Sequence, residues 1–140
     1  MIRFTDSRAT AEGTAILDFS DLQMNDLSPI YTQIVRYVKI RILRKEVANG
    51  EELPSRRILS ATLGVNPNTI QKAYRIMEEE GFIVTYLGSK SILRFDDAMV
   101  ETIREDLLSA ELSTFISEIK KMGYDRDKIC TLIREFWDKY

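Results

Sequence analysis

Apolar residues recur at helical spacing in several stretches of this chain, separated by residues that cap or turn a backbone. Ile30, Ile34, Val38 and Ile42 follow a four-residue spacing, widened by Tyr31, Val35 and Leu43, which predicts a helix from Ile30 to Lys45. Ser28-Pro29 reads as its N-cap and first-turn pair, and Asn49-Gly50 as a turn beyond it. Between Leu53 and Gly81 lie two more helical patterns. Ser55 caps a short helix carrying Ile58, Leu59 and Leu63, which Gly64 ends in a left-handed conformation. Asn66-Pro67 then opens a second helix with Ile70, Ala73, Tyr74 and Met77 on one face, and Gly81 closes it. The period next falls to two. FIVTYL (82–87) and SILRF (91–95) are rich in β-branched and aromatic residues, and Gly88, Ser89 and Lys90 between them supply a turn.

At the start, AILDFSDL (15–22) alternates enough for a short strand or an extended lead-in. Residues 1–13 are polar and lack a period, so a mobile arm is expected, with Arg3 and Arg8 solvated; the alternative is that they reach toward a phosphate or a minor groove. At the other end, Asp96 and Asp97 open a long helix, Ala98 to Met122, where acidic residues suit the helix dipole. Its apolar positions are Met99, Ile103, Leu107, Leu112, Phe115, Ile116, Ile119 and Met122. Gly123 breaks it, and Asp125 caps a last helix with a dense stripe of Ile129, Leu132, Ile133, Phe136, Trp137 and Tyr140.

A short helix, a turn containing Gly and a second helix with a polar face outline a helix-turn-helix, and the hairpin behind it adds a wing. The polar face holds Asn68, Thr69, Gln71, Lys72 and Arg75. Such outlines also occur in helical proteins that never meet DNA. The residues LPSRRILSATLGVNPNTIQKAYRIMEEEGFI, however, closely resemble the DNA-binding domain of the GntR family of bacterial transcription regulators. The Asn-Pro-Asn-Thr run with Gln71, Ala73 and Tyr74 is most similar to its short-tailed, YtrA-type branch. The resemblance covers roughly residues 29 to 95. It implies that Arg57, in the Leu-Pro-Ser-x-Arg element, contacts DNA from the first helix of the motif. It also implies that Asn66, Asn68, Thr69 and Gln71 lie at the groove-facing start of the recognition helix, and that Gly88 marks the wing tip. The wing departs from the family pattern at Lys90, where a second glycine is usual, and at Ile92, where an aromatic is usual.

The expected fold is therefore mainly α with a small β-hairpin: an arm and lead-in (1–27), a winged helix-turn-helix (28–95) and a two-helix C-terminal tail (96–140). Two amphipathic helices of this size cannot bury both stripes between themselves. A second copy would complete the core as a small dimerisation bundle, with Leu107, Leu112, Phe115, Ile119, Ile129, Ile133, Phe136 and Trp137 as its contact residues. The competing arrangement folds the tail back on the winged domain within one chain.

Composition changes this picture little. With 140 residues, 44% apolar and 30% charged, the chain is ordinary for a soluble protein. It has no apolar run of membrane-spanning length and no basic-then-apolar leader. Its one cysteine, Cys130, cannot form an intramolecular disulfide; it suits a cytoplasmic setting and is expected as a buried or half-buried structural thiol. Charge matters more. A net of −2 is unusual for a DNA binder, yet Pro29 to Phe95 carries 11 Lys and Arg against 6 Asp and Glu, while the remainder carries 9 against 16. Positive charge is concentrated in the motif-bearing segment. The first helix adds Arg36, Lys39, Arg41, Arg44 and Lys45 as candidates to face a DNA backbone.

On double-stranded DNA, Asn68 and Gln71 are the best base readers, because an amide pairs with adenine at two positions. Thr69 suits a thymine methyl or a phosphate. Lys72, Arg75 and the wing residue Lys90 suit the backbone, and Arg57 suits a phosphate or a guanine. One unit makes too few base contacts to be selective, since each discriminates by roughly 1–3 kcal/mol; a homodimer on an inverted-repeat operator follows. An enzyme is not expected: there is no His, no phosphate-binding Gly loop and no nucleophile elbow, and no cofactor or metal is implied. The rival class is a winged helix that docks a protein, and steep salt sensitivity separates the two. A small-molecule effector stays open. About 45 residues follow the wing, too few to enclose a conventional metabolite pocket, so an effector would lodge between paired tails or between tail and winged domain. The expected activity is repression by a dimer whose half-site spacing is set by the tail bundle, with any effector shifting that spacing.

Overall fold

A computed structural model describes residues 15–87 and 90–140. The arm, with Arg3 and Arg8, and Gly88 at the wing tip lie outside the described residues. The elements run α1 (Ile30–Leu43), α2 (Arg56–Leu63), α3 (Pro67–Glu80), β1 (Ile83–Tyr86), β2 (Lys90–Leu93), α4 (Asp97–Lys121) and α5 (Arg126–Phe136), followed by a 3-10 turn, Trp137–Lys139. This is the mainly helical fold with one small hairpin that the sequence predicts. The chain divides into two compact units at Ile103 and Arg104. Among the described residues no helix is long and apolar enough to cross a membrane.

The first unit is built around α3. Ile70, Ala73, Tyr74 and Met77 are fully buried along one stripe of it, packed on Ile34, Val38 and Ile42 of α1 and on Leu59 of α2. Phe82, Ile83 and Leu93 close the same core from the hairpin. β1 and β2 are antiparallel, with Val84 opposite Ile92 and Thr85 opposite Ser91. Ser91 is buried but not orphaned, because its hydroxyl lies 2.9 Å from that of Thr85. The outer edge of β2 is also covered: the Leu53 amide donates to Ser91 O and the Leu93 amide to Glu51 O, both at 2.8 Å.

The lead-in is part of this unit. The Leu17 amide donates to Glu52 O at 2.8 Å and the Glu52 amide to Ala15 O at 2.9 Å, so an isolated parallel bridge ties residues 15–17 to the 51–53 segment that covers β2. Alternation then turns Leu17 and Phe19 inward and leaves Asp18 and Ser20 outside. Phe19 stacks on Tyr37 of α1 at 5.2 Å, and the Tyr37 hydroxyl donates to Asp18 O at 2.9 Å.

Three local expectations need correction. Ser28 does not cap α1; Pro29 occupies the cap position with an extended ψ of 142°, and the preceding loop is held instead by the Gln33 amide, which donates to Asn25 O and Ser28 O. The helix stops at Leu43, because Lys45 turns left-handed at φ 59°. Ile58, counted with the apolar stripe of α2, is 52% exposed: the inward positions are Leu59 and Ser60, one step further round the helix.

The second unit contains no buried residue. Asp125 caps α5 by accepting from the Lys128 amide at 2.8 Å, after a turn in which Gly123 takes φ 85°. Phe115 and Ile119 of α4 face Ile129, Leu132, Ile133 and Phe136 of α5 across an open apolar groove of about 830 Å³. Cys130 is exposed, contrary to expectation, because it lies about 100° round α5 from Ile129 and off the stripe.

Since Phe19 is a core residue rather than part of a loose leader, Phe19→Ala should lower stability by about 3 kcal/mol in urea denaturation. A loss below about 1 kcal/mol would show that the lead-in is dispensable to the core.

Candidate nucleic-acid interface

The turn between α2 and α3 decides which way the polar side chains point. Ser55 caps α2 by accepting from the Ile58 amide at 3.2 Å. Gly64 ends α2 at φ 68°, a left-handed conformation that a side chain at this position would strain, and its amide donates to Ser60 O. The Ser60 hydroxyl reaches across the turn to Val65 O at 2.6 Å. Asn66 then starts α3, its side chain accepting from the Asn68 amide at 2.7 Å, with Pro67 at the first helical position. Once the apolar stripe of α3 is committed to the core, Asn68, Gln71, Lys72 and Arg75 are left exposed and Thr69 half-buried.

Charge follows the same division. From Arg56 to Met77 there is no Asp or Glu, while Arg56, Arg57, Lys72 and Arg75 are all cationic. The acids of α3 are confined to its last turn, and each is matched. Glu78 lies 3.8 Å from Arg56, Glu79 lies 3.9 Å from Arg75, and Glu80 lies 2.7 Å from Lys39. The exposed start of α3 thus joins amide side chains to the cations Lys72 and Arg75 and to the positive end of the helix dipole. Lys72 is held on this surface with its ammonium 4.1 Å from the centre of the Tyr31 ring. Lys90 opens β2 within 4.0 Å of Glu52.

Arg57 is exposed at the second position of α2. Cations at a helix N-terminus oppose the dipole, so their presence there calls for another cause. Arg56 finds one inside the fold. Its guanidinium carbon lies 4.8 Å from the centre of the Tyr74 ring. The Tyr74 hydroxyl donates to Pro54 O at 2.6 Å, and burial pushes its ionisation far above the usual phenol range, against a smaller downward pull from Arg56. Tyr74 therefore stays a neutral donor.

Arg56, Tyr31 and Glu78 had no place among the expected site residues; two adjacent cations opening a helix was the available signal for Arg56. Three of the cations expected to face a DNA backbone, Lys39, Arg41 and Arg44, are paired with acids of this unit. Lys39 is tied to Glu80 with its side chain 12% exposed. Arg41 lies over the Tyr37 ring and pairs with Asp21 at 3.2 Å and Glu46 at 3.5 Å. Arg44 is 3.1 Å from Glu46. Among the described residues no group of His, Cys, Asp or Glu could hold a metal ion.

Residues 30–89 match the profile of the bacterial regulatory proteins, gntR family. The HTH-type transcriptional regulator YhcF of Bacillus subtilis is 32% identical over 116 residues, covering 83% of this chain and 96% of that protein. The chain belongs to the GntR family. As a GntR protein it is a DNA-binding transcription regulator and not an enzyme. The HTH-type transcriptional repressor YtrA of B. subtilis is 30% identical over 110 residues, 77% of this chain and 84% of that one, in keeping with the YtrA-like branch. A solved GntR family transcriptional regulator from Listeria monocytogenes shares 36% identity with a TM-score of 0.69, over 80% of this chain and 98% of its own.

The role of Asn66 as a cap can be isolated from any contact it makes. Asn66→Ala should cost about 1 kcal/mol in urea denaturation, and Asn66→Asp almost nothing, because Asp caps equally well. Equal losses in both variants would contradict the cap assignment.

Proposed function

We propose that this GntR protein is a dimeric repressor of an inverted-repeat operator, with the start of α3 in the major groove and residues 96–140 as the dimerisation domain. The observation that carries the reading is the start of α3, where exposed Asn68, Gln71, Lys72 and Arg75 share one helix face and the sequence from Arg56 to Met77 holds no Asp or Glu. Asn68 and Gln71 read base edges, with Thr69 beside them on a thymine methyl or a phosphate. Lys72, Arg75 and the wing residue Lys90 hold the backbone, and Arg57 reaches a phosphate or a guanine from α2. Repression is the activity named for the YtrA relative.

The unburied tail supports the dimer. Leu112, Phe115, Ile133 and Phe136 are each more than 40% exposed and Trp137 is 74% exposed, a run of apolar surface that a lone chain leaves in water. Along α4 and the residue that follows it, Leu108, Leu112, Phe115, Ile119 and Met122 are spaced four, three, four and three apart, the rhythm of a seam between supercoiled helices. Half-buried Leu107 and Ile129 flank the same surface. In this reading the paired tails set the half-site spacing, and any small-molecule effector acts by shifting it.

Two tests address the two halves. Across a panel of operator variants, Asn68→Ala should relax preference at one base position, whereas Lys72→Ala should weaken every sequence alike and lower the salt slope by about one. Uniform losses in both would remove Asn68 from base reading. In sedimentation equilibrium the protein should run as a dimer and Phe136→Glu as a monomer; a monomeric parent would rule the tail bundle out.

A further inference from the structure

Base reading from α3 and the contact from Arg57 of α2 must fall on DNA at a fixed separation, because a base contact tolerates little displacement. Two interactions tie the entrance of α2 to the middle of α3. The Tyr74 hydroxyl donates to Pro54 O, one residue before the Ser55 cap. One residue after that cap, Arg56 covers the Tyr74 ring and reaches Glu78. The Arg56 side chain is 21% exposed, and its Nε is buried without a hydrogen-bond partner among the described residues. A guanidinium turned inward in this way, with a donor left unpaired, is a costly means of filling space. Its neighbour Arg57 points to solvent from the same helical turn.

We propose that Arg56, with Tyr74 and Glu78, is a latch that fixes α2 against the recognition helix, so that Arg57 and the base-reading amides engage DNA together. Arg56 is a positioning residue for operator selectivity and does not itself touch the DNA. The face of the Tyr74 ring covers its charge, and Glu78 neutralises it. Loosening the latch lets α2 shift against α3, so phosphate-only contacts survive while the joint fit to bases is lost. This rests on the proposed interface role of Arg57 and Asn68.

The test is fluorescence anisotropy of the full chain on its selected operator and on a scrambled duplex, each over a range of salt. Arg56→Gln should lower operator affinity about tenfold while leaving scrambled-duplex affinity and the salt slope unchanged. Glu78→Gln should shift the ratio in the same direction by a smaller factor. Arg56→Lys, which keeps a cation over the ring and within reach of Glu78, should recover most of the loss. Retained binding to the scrambled duplex reports that each variant is folded. A fall in both affinities with a salt slope lower by about one would make Arg56 a phosphate contact and overturn the latch. So would an unchanged ratio in Arg56→Gln while Arg57→Ala and Asn68→Ala still weaken operator binding. If Arg57→Ala and Asn68→Ala change neither affinity, the interface reading fails and the latch with it.

Discussion

Tyr74 has to be buried as a hydrocarbon ring and satisfied as a hydrogen-bond donor at once. It meets both demands by lying at the centre of α3 with no exposure and donating to Pro54 O at the entrance of α2. Other features of the winged unit follow from that placement. Committing the Tyr74 face of α3 to the core turns Asn68, Gln71, Lys72 and Arg75 outward. Fixing Pro54 places the Ser55 cap, and the cap sets where α2 begins. The stretch 51–53, which leads into Pro54, carries the sheet bonds that join the hairpin to the lead-in.

Charge is sorted with the same economy. Acids that would repel phosphate are absent from the exposed start of α3 and paired in its last turn, two of them with Arg56 and Lys39 from neighbouring helices. Those pairs are partly buried, so they hold helices together as well as cancelling charge. The overall net of −2 conceals this arrangement, since residues 29–95 carry an excess of Lys and Arg and the rest of the chain an excess of Asp and Glu.

The helices and the wing were legible in the sequence because short-range rules govern them. Asn66-Pro67, Ser55, Gly64 and Asp125 act on the residues beside them, and the apolar period of α3 admits one buried face. Features that depend on distant partners were harder to read. Nothing near Lys39 or Arg41 tells that they are bound to Glu80 and Asp21, 41 and 20 positions away. Leu17 and Phe19 alternate too briefly to reveal that they enter the core. Ser28 has a cap residue's chemistry, but Pro29 takes the cap position itself. In the tail, a dense stripe on α5 suggested a buried thiol at Cys130, whereas the stripe passes it by and no residue of that unit is buried at all. An apolar face announces that it needs a partner without saying which.

In the proposed assembly two copies, joined through their tails, read one inverted repeat. The most direct measurement is to select the DNA fragments that the protein protects and to determine the mass of the complex on the best of them. The expected result is a palindromic fragment carrying two chains, bound at nanomolar concentration and weakened steeply by added salt. A single chain per site, or weak binding that ignores sequence and salt, would contradict it.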